Sequence, residues 1–334
     1  MAKLRRGTQT ALSDGSSLRL RAAWMYYSYG LTQKDVAEQL DLSRTTVIRL
    51  LDEAVKRGEV RFWIEEGVAE CVDLSVRLER TLGLDEAVVV PSPSDVDQTA
   101  KGIGLALGKF LSEAIRDNMT IGVGWGRTLT ASLANFRPPR LDGVTVMSLL
   151  GGAVESRFTD PVEYSWRLAN ALGAECYLFP APLIVDSPAT KQRLIDACGI
   201  DRLYALGEHL DLVIVSVGDI GPAGTSLASH LVSSAELTEL VALGSVGDVM
   251  CNFLDENGRT VTHPISDRVM SIGVDTLKKA DHIVIASGGA NRGKAILAAI
   301  RRIGCNTLVT DEAAATALLA LVEAEPSRAL KSVG

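Results

Sequence analysis

Seven short apolar runs punctuate the chain: EAVVV (86–90), TIGVG (120–124), VTVMSLL (144–150), AECYLF (174–179), LVIVSV (212–217), HIVIAS (282–287) and NTLVT (306–310). Between most of them lie segments of helical period, such as GIGLALGKFLSEAI and KAILAAIRRIG. A run that is apolar at every position must be hidden on both faces, and a parallel sheet covered by helices is the arrangement that does this. The alternation predicts an α/β body with a largely parallel sheet, Rossmann-like in class, over residues 76–334. With 334 residues, of which 47% are hydrophobic, the chain can bury such a core and carry a second, smaller domain.

The smaller domain is predicted over residues 1–62, and its centre is LTQKDVAEQLDLSRTTVIRLLDEAVKRG, Leu31 to Gly58. Thr32 with Asp35 three residues on forms a capping box, and Leu31 and Val36 stand where a hydrophobic staple packs. Ser43 caps a second helix. Val36, Ala37, Leu40, Leu42, Val47 and Leu50 fall where two crossing helices need small or apolar side chains, which is helix-turn-helix spacing. Asp41 occupies the turn, a place for left-handed backbone that Asp tolerates better than most residues with a side chain. On the second helix Val47, Leu50, Leu51 and Ala54 gather on one face, and Thr45, Arg49 and Lys56 on the other. A recognition helix enters the major groove by its N-terminal end, which makes Arg44, Thr45, Thr46 and Arg49 the candidates for base and phosphate contact. The alternative is an amphipathic helix with a solvated polar face.

Charge divides along the same boundary. Residues 1–61 hold eleven Lys+Arg against seven Asp+Glu, a net of +4, and subtraction from 34 and 41 leaves 23 against 34, or −11, in the remainder. A basic head on an acidic body lets one end approach a phosphate backbone. Before the turn, a supporting helix is expected from Ser17 to Tyr29, ended by Gly30, with Trp24 and the tyrosines packed in the small core. After Gly58, EVRFWIEE alternates as a short strand and suggests a winged-helix hairpin. A linker, with a hinge helix as the alternative over 65–75, is expected at 63–75.

Five cysteines, at 71, 176, 198, 251 and 305, form no CxxC pair and have no His at ligand spacing, so no metal is expected. Residues 1–17 read as an arm, not a signal peptide, and no segment reaches the roughly 18 uninterrupted apolar residues of a membrane span. The expected location is the cytoplasm.

In a parallel sheet, ligands sit beyond the carboxyl ends of the strands. Three loops stand there: GVGWGRTL (122–129), ASGGANRGKAI (286–296) and VTDEAAA from Val309, in which Asp311 and Glu312 open a helix. Each reads either as a structural turn or cap, or as part of an anion or hydroxyl site. Neither GxxxxGK[ST] nor GxGxxG is met, so nucleotide binding is disfavoured and no cofactor is implied. GSVGDVMCNFLDENG (244–258) places Asp248 after a glycine turn, with DENG as a hairpin tip; Asp248 and Asn252 could enter one pocket.

Taken in order, the capped helix pair, GVGWGRTL, GSVGDV with FLDENG, the SGG loop and TDEAA resemble the SorC family of bacterial transcriptional regulators over essentially the full length. The resemblance implies an effector domain similar to sugar-phosphate isomerases and deaminases, used to sense, in a homodimer or homotetramer that binds operator DNA. Its effector would be a sugar, a polyol or a phosphate of either. Carried over by motif, Gly124, Trp125, Gly126, Arg127 and Thr128 form one wall of the effector pocket, and Asp248, Asn252, Gly288, Gly289, Arg292 and Asp311 the rest. Gly124 stands where many relatives carry Ser, and Arg292 where many carry Lys. The segment RFWIEEGVAECVDLSVRLERTLGLDEAVVVPS is most similar to regulators of sugar-alcohol catabolism. The competing reading is an isomerase- or deaminase-like enzyme with Asp248 or Asp311 as general base. Against it, His209, His230, His263 and His282 are scattered.

Overall fold

The computed structural model describes residues 15–60, 69–93, 95–153, 161–220 and 232–324. The chain separates into two compact units, Met1–Gly67 and Val68–Gly334.

In the first unit, α1 (Gly15–Ala23) opens into one wider turn, Trp24–Ser28, closed by the Tyr29 N–H on the Trp24 carbonyl at 3.3 Å. Gly30 then reverses the chain at φ 68°. α2 (Gln33–Leu40) starts with the expected capping box: Thr32 Oγ1 accepts the Asp35 N–H at 3.2 Å and Asp35 Oδ2 accepts the Thr32 N–H at 3.1 Å. Asp41 takes the left-handed conformation (φ 54°, ψ 48°), and the Ser43 hydroxyl caps α3 (Arg44–Lys56) by accepting the Thr46 N–H. Ala22, Ala23, Val36, Ala37, Val47, Leu50, Leu51 and Ala54 close the core. Arg19 is buried beside it, its guanidinium forked onto both oxygens of Glu59. Trp24 and Tyr29 do not join this core: they are 61% and 69% exposed. The buried stripe of α1 runs through Arg19, Ala22 and Ala23, so helical phase turns Trp24 outward although its type suits a core. The expected wing falls almost wholly on residues 61–66, outside those described.

Among the described residues the second unit carries ten strands: β1 (Glu86–Val90), β2 (Thr120–Val123), β3 (Thr145–Ser148), β4 (Glu175–Tyr177), β5 (Leu212–Val215), β6 (Gly218–Asp219), β7 (Ser245–Val249), β8 (Asn252–Asp255), β9 (His282–Ala286) and β10 (Thr307–Asp311). Among the described residues its α-helices are α4 (Ala69–Leu82), α5 (Val96–Ala114), α6 (Arg127–Ser132), α7 (Pro161–Leu172), α8 (Pro188–Ala197), α9 (Asp201–Gly207), α10 (Ser234–Ala242), α11 (Val274–Leu277), α12 (Gly293–Ile303) and α13 (Glu312–Glu323). Seven strands form one parallel sheet in the order β1-β10-β9-β5-β2-β3-β4. Successive residues feed different cores: Val213, Val215, Ile283 and Ile285 lie in one, Leu212, Ile214, Val284 and Ala286 in the other. That two-sided burial is why β5, and β9 after His282, are apolar at every position, whereas the edge strand β4 (Glu-Cys-Tyr) is not.

Residues 69–75, expected as linker or hinge helix, are the first turns of α4, whose Cys71, Leu74 and Leu78 enter the body's core and make it part of the body; 63–68 lie outside the described residues. A three-stranded antiparallel sheet, β6-β7-β8, sits apart from the large one. Its β7–β8 hairpin turns on Met250 and Cys251, both left-handed (φ 51° and 60°). Asp255 to Gly258 form a further tight turn beside the bridge between Leu254 and Thr260.

Candidate functional site

In the first unit Arg44, Thr45 and Arg49 project into solvent from the first two turns of α3. The Arg44 guanidinium donates twice, at 3.3 Å, to Gln33 Oε1 at the start of α2, which orients it across the two helix N-termini. Thr46 is half-buried and its hydroxyl lies 2.8 Å from Ser43 Oγ, so it serves the cap. Ile48, 45% exposed and three residues after Thr45, completes the face. Its methyls are of the kind that meet thymine. Residue type hid it in the sequence; its phase opposite Val47, Leu50 and Leu51 was the available signal. Lys56 is paired with Asp52 at 2.7 Å.

In the second unit the chain builds outward from β2 to β3 and β4, then returns to place β5 on the other side of β2. The carboxyl ends of β2 and β5 are therefore a topological switch point, where loops diverge and leave a crevice. The three loops singled out in the sequence leave β10, β9 and β2, with β5 lying between the last two, and contacts link them in turn. After β2, the Gly124 N–H bonds the Ile214 carbonyl of β5 at 2.8 Å, and Gly126 (φ 136°) starts α6. A Cβ at Gly126 would lie 3.4 Å from that of Ser216. Trp125 and Thr128 are buried and belong to the loop's footing. The Arg127 guanidinium turns back to Asp97 of α5. α6 itself lies against α5 because Gly104 and Gly108 leave room: a Cβ at Gly108 would stand 2.2 Å from the Ser132 carbonyl.

After β9, the Ser287 hydroxyl donates to the Val217 carbonyl at 3.1 Å, tying the SGG loop to the end of β5. Gly288 admits no side chain, since a Cβ would come within 2.4 Å of both Ile103 and Asp311. The Gly289 N–H donates to Asp311 Oδ1 at 2.7 Å, and the Ser92 hydroxyl to Asp311 Oδ2 at 2.5 Å. With Asp311 also the N-cap of α13, its carboxylate organises the loop from beneath. Arg292 crosses to Asp219 on β6 at 3.2 Å, both side chains mostly buried.

Asp248 enters this group through register: it pairs with Gly218, the neighbour of Asp219. It is 5% exposed; Oδ2 accepts the Cys251 N–H at 2.8 Å, while Oδ1 is buried with no hydrogen-bond partner among the described residues. Burial first, and then the nearby Asp219 carboxylate, push its pKa up to about 6, against the opposing pull of the Cys251 N–H and Arg292. Asn252 is not its companion. In the hairpin Asp248 faces Phe253 and Asn252 faces Val249, so Asp248 and Asn252 lie on opposite faces. The Asn252 amide instead donates to the Val249 and Met250 carbonyls at 3.1 and 3.2 Å and holds the turn. Among the described residues no cluster of His, Cys, Asp and Glu is arranged to hold a metal, and no helix is long and apolar enough to cross a membrane.

A capped helix-turn-helix unit, in one chain with a parallel α/β body whose glycine loops converge at a switch point, defines a DNA-binding regulator with a small-molecule-binding domain. Comparison with known proteins agrees. Residues 66–320 match the family described as "Putative sugar-binding domain". The erythritol catabolism regulatory protein EryD of Brucella abortus (strain 2308) is 30% identical over 305 residues, 91% of this chain and 96% of the relative. The deoxyribonucleoside regulator of Bacillus subtilis (strain 168) is 28% identical over 308 residues, 92% and 98% of the two chains. The crystal structure of the full-length sorbitol operon regulator SorC from Klebsiella pneumoniae aligns with a TM-score of 0.69 at 26% identity, over 92% of this chain and all of that one. The chain belongs to the SorC family of sugar-binding transcriptional regulators.

Proposed function

We propose that this protein controls a carbohydrate or polyol catabolic operon by binding operator DNA through α3, with affinity set by a small polyhydroxy effector at the crevice beyond β2, β5, β9 and β10. The observation that carries the reading is the convergence of the Gly124–Thr128 loop, the Gly288–Gly289 loop, Arg292 and Asp248 on adjacent strand ends. The names of EryD and the deoxyribonucleoside regulator give the class of operon. Arg44, Thr45 and Arg49 are the proposed DNA contacts, with Ile48 added and Thr46 acting through the cap. Gly124, Gly126, Asp248, Gly288, Gly289 and Arg292 are the proposed effector contacts. Trp125, Arg127, Thr128, Asn252 and Asp311 shape the loops. Paired half-sites would be read by a two-fold symmetric homo-oligomer.

The body is used for sensing, not turnover. His263 has Nε2 3.0 Å from Glu239 and Nδ1 accepting the Ile265 N–H, which commits its ring to an N-cap. A His in that setting cannot serve as a free general base. The test is fluorescence anisotropy of labelled DNA from upstream of the operon, titrated with protein at fixed salt and then with sugars, polyols and their phosphates. Selective weakening or strengthening by one class of compound is the expected result. Absence of binding above the non-specific level, with or without compounds, refutes the DNA assignment, and turnover in a coupled isomerase or deaminase assay refutes the sensing role.

A further inference from the structure

The two arginines of the proposed effector site are both already matched to carboxylates. Arg127 is held by Asp97, and Arg292 by Asp219 with both side chains mostly buried. Lys294 follows Arg292 but is exposed, where a charge is screened by solvent and salt. Around Arg292 stand Asp219 and Asp248, two acids to one guanidinium. α6 has only six residues, too short to contribute much of a helix dipole toward the Gly126 loop. The unmet requirement at the site is of the opposite kind. Among the described residues Asp248 Oδ1 is a buried acceptor without a donor, next to the Asp219–Arg292 pair. A buried carboxylate oxygen is stabilised by a hydroxyl donating to it, and is repelled by a phosphate.

Resting on the effector-site reading above, we infer that the effector is an uncharged polyhydroxy compound, an alditol or free sugar, one of whose hydroxyls donates to Asp248 Oδ1, and that Asp219 excludes phosphorylated analogues by occupying Arg292. An anionic ligand must share Arg292 with Asp219, whose carboxylate already meets the guanidinium at Nε, and lie beside two carboxylates. A neutral one leaves the ion pair in place. Selection of this kind works by penalising the wrong ligand as much as by contacting the right one.

Isothermal titration calorimetry on the full chain tests this, with erythritol, ribitol, glucitol and free aldoses as neutral probes, against their terminal monophosphates and inorganic phosphate. The wild type should bind at least one neutral probe about tenfold or more tightly than its phosphate. Asp219→Asn, which removes the carboxylate charge beside Arg292 and keeps the side-chain volume, should narrow or invert that ratio. Asp248→Asn should weaken the neutral probe about tenfold or more, because an amide offers the effector hydroxyl a poorer acceptor. Tighter binding of a phosphate to the wild type overturns the inference but leaves the effector site standing, and needs no variant to be read. An unchanged neutral-to-phosphate ratio in a folded Asp219→Asn protein also overturns it. If no probe binds the wild type or either variant, the effector-site reading fails and the inference fails with it.

Discussion

Asp248→Asn should make the body more stable, by an amount that depends on pH in a calculable way. The native carboxyl titrates at about 6 against an ordinary 3.8, so the folded state holds the proton more tightly than the unfolded chain. Wild-type stability therefore falls as pH rises between those two values and stays lower above them. A gap of roughly two pKa units corresponds to about 3 kcal/mol above pH 6, and to almost nothing below about pH 4. The groups facing the carboxyl are Cys251 from the turn, Asp219 from β6 and Arg292 from the SGG loop. An Asn oxygen can still accept the Cys251 N–H, while the buried charge disappears. Carboxylates with lowered pKa, such as Glu236 held by Ser233 and Arg268, gain stability over the same window, but they cancel when variant and wild type are compared at one pH. The assay is urea unfolding of the full chain at about pH 5 and about pH 8, with variant and wild type compared at each pH so that the first unit's unfolding, common to both, cancels. The variant's advantage should widen by about 1–2 kcal/mol between the two conditions. An advantage that does not change with pH, or a variant less stable than wild type at the higher pH, refutes the buried-charge account.

Effector affinity should fall as pH drops through about 6, because protonation of Asp248 removes an acceptor; calorimetric titrations across that range check it, and a flat profile denies Asp248 its role. Arg49→Ala should weaken operator binding by about 1–3 kcal/mol if it reads a base, and reduce the salt dependence of binding if it meets a phosphate, with effector affinity unchanged either way. Ser43→Ala should lower the first unit's stability by about 1 kcal/mol through loss of the cap on α3, measured as a shift in its thermal midpoint. Gly288→Ala should destabilise the body by about 1–3 kcal/mol and abolish effector binding, since its Cβ would displace Ile103 or Asp311, both packed.

The sheet was legible because burial on both faces leaves no alternative to continuous apolar runs, and all seven runs became strands of it. The caps were legible because Thr32, Asp35, Ser43 and Asp41 act through backbone groups within a few residues. The antiparallel sheet was not. β6 is two residues long, and the β7–β8 hairpin turns on Met-Cys, where left-handed backbone normally calls for Asn or Gly. Without that turn, nothing in the chain says that Asp248 and Asn252 fall on opposite faces. The pairings of Arg292 with Asp219 and Arg127 with Asp97 were likewise invisible, because they depend on side-chain reach across separate elements.

The pairing of β1 with β10 has a consequence during synthesis. The body's first strand is completed by its last, and the Ser92–Asp311 hydrogen bond joins residues 219 positions apart. A nascent chain can finish the helix-turn-helix unit soon after it emerges, since that unit's contacts are local. The proposed effector site cannot be complete until nearly the whole polypeptide has been made, because Gly289 is held by Asp311. Any chain that terminates or is cleaved before β10 would thus retain the helix-turn-helix unit and lack the loop contacts of the proposed effector site, so on the reading above it should bind DNA without answering to an effector.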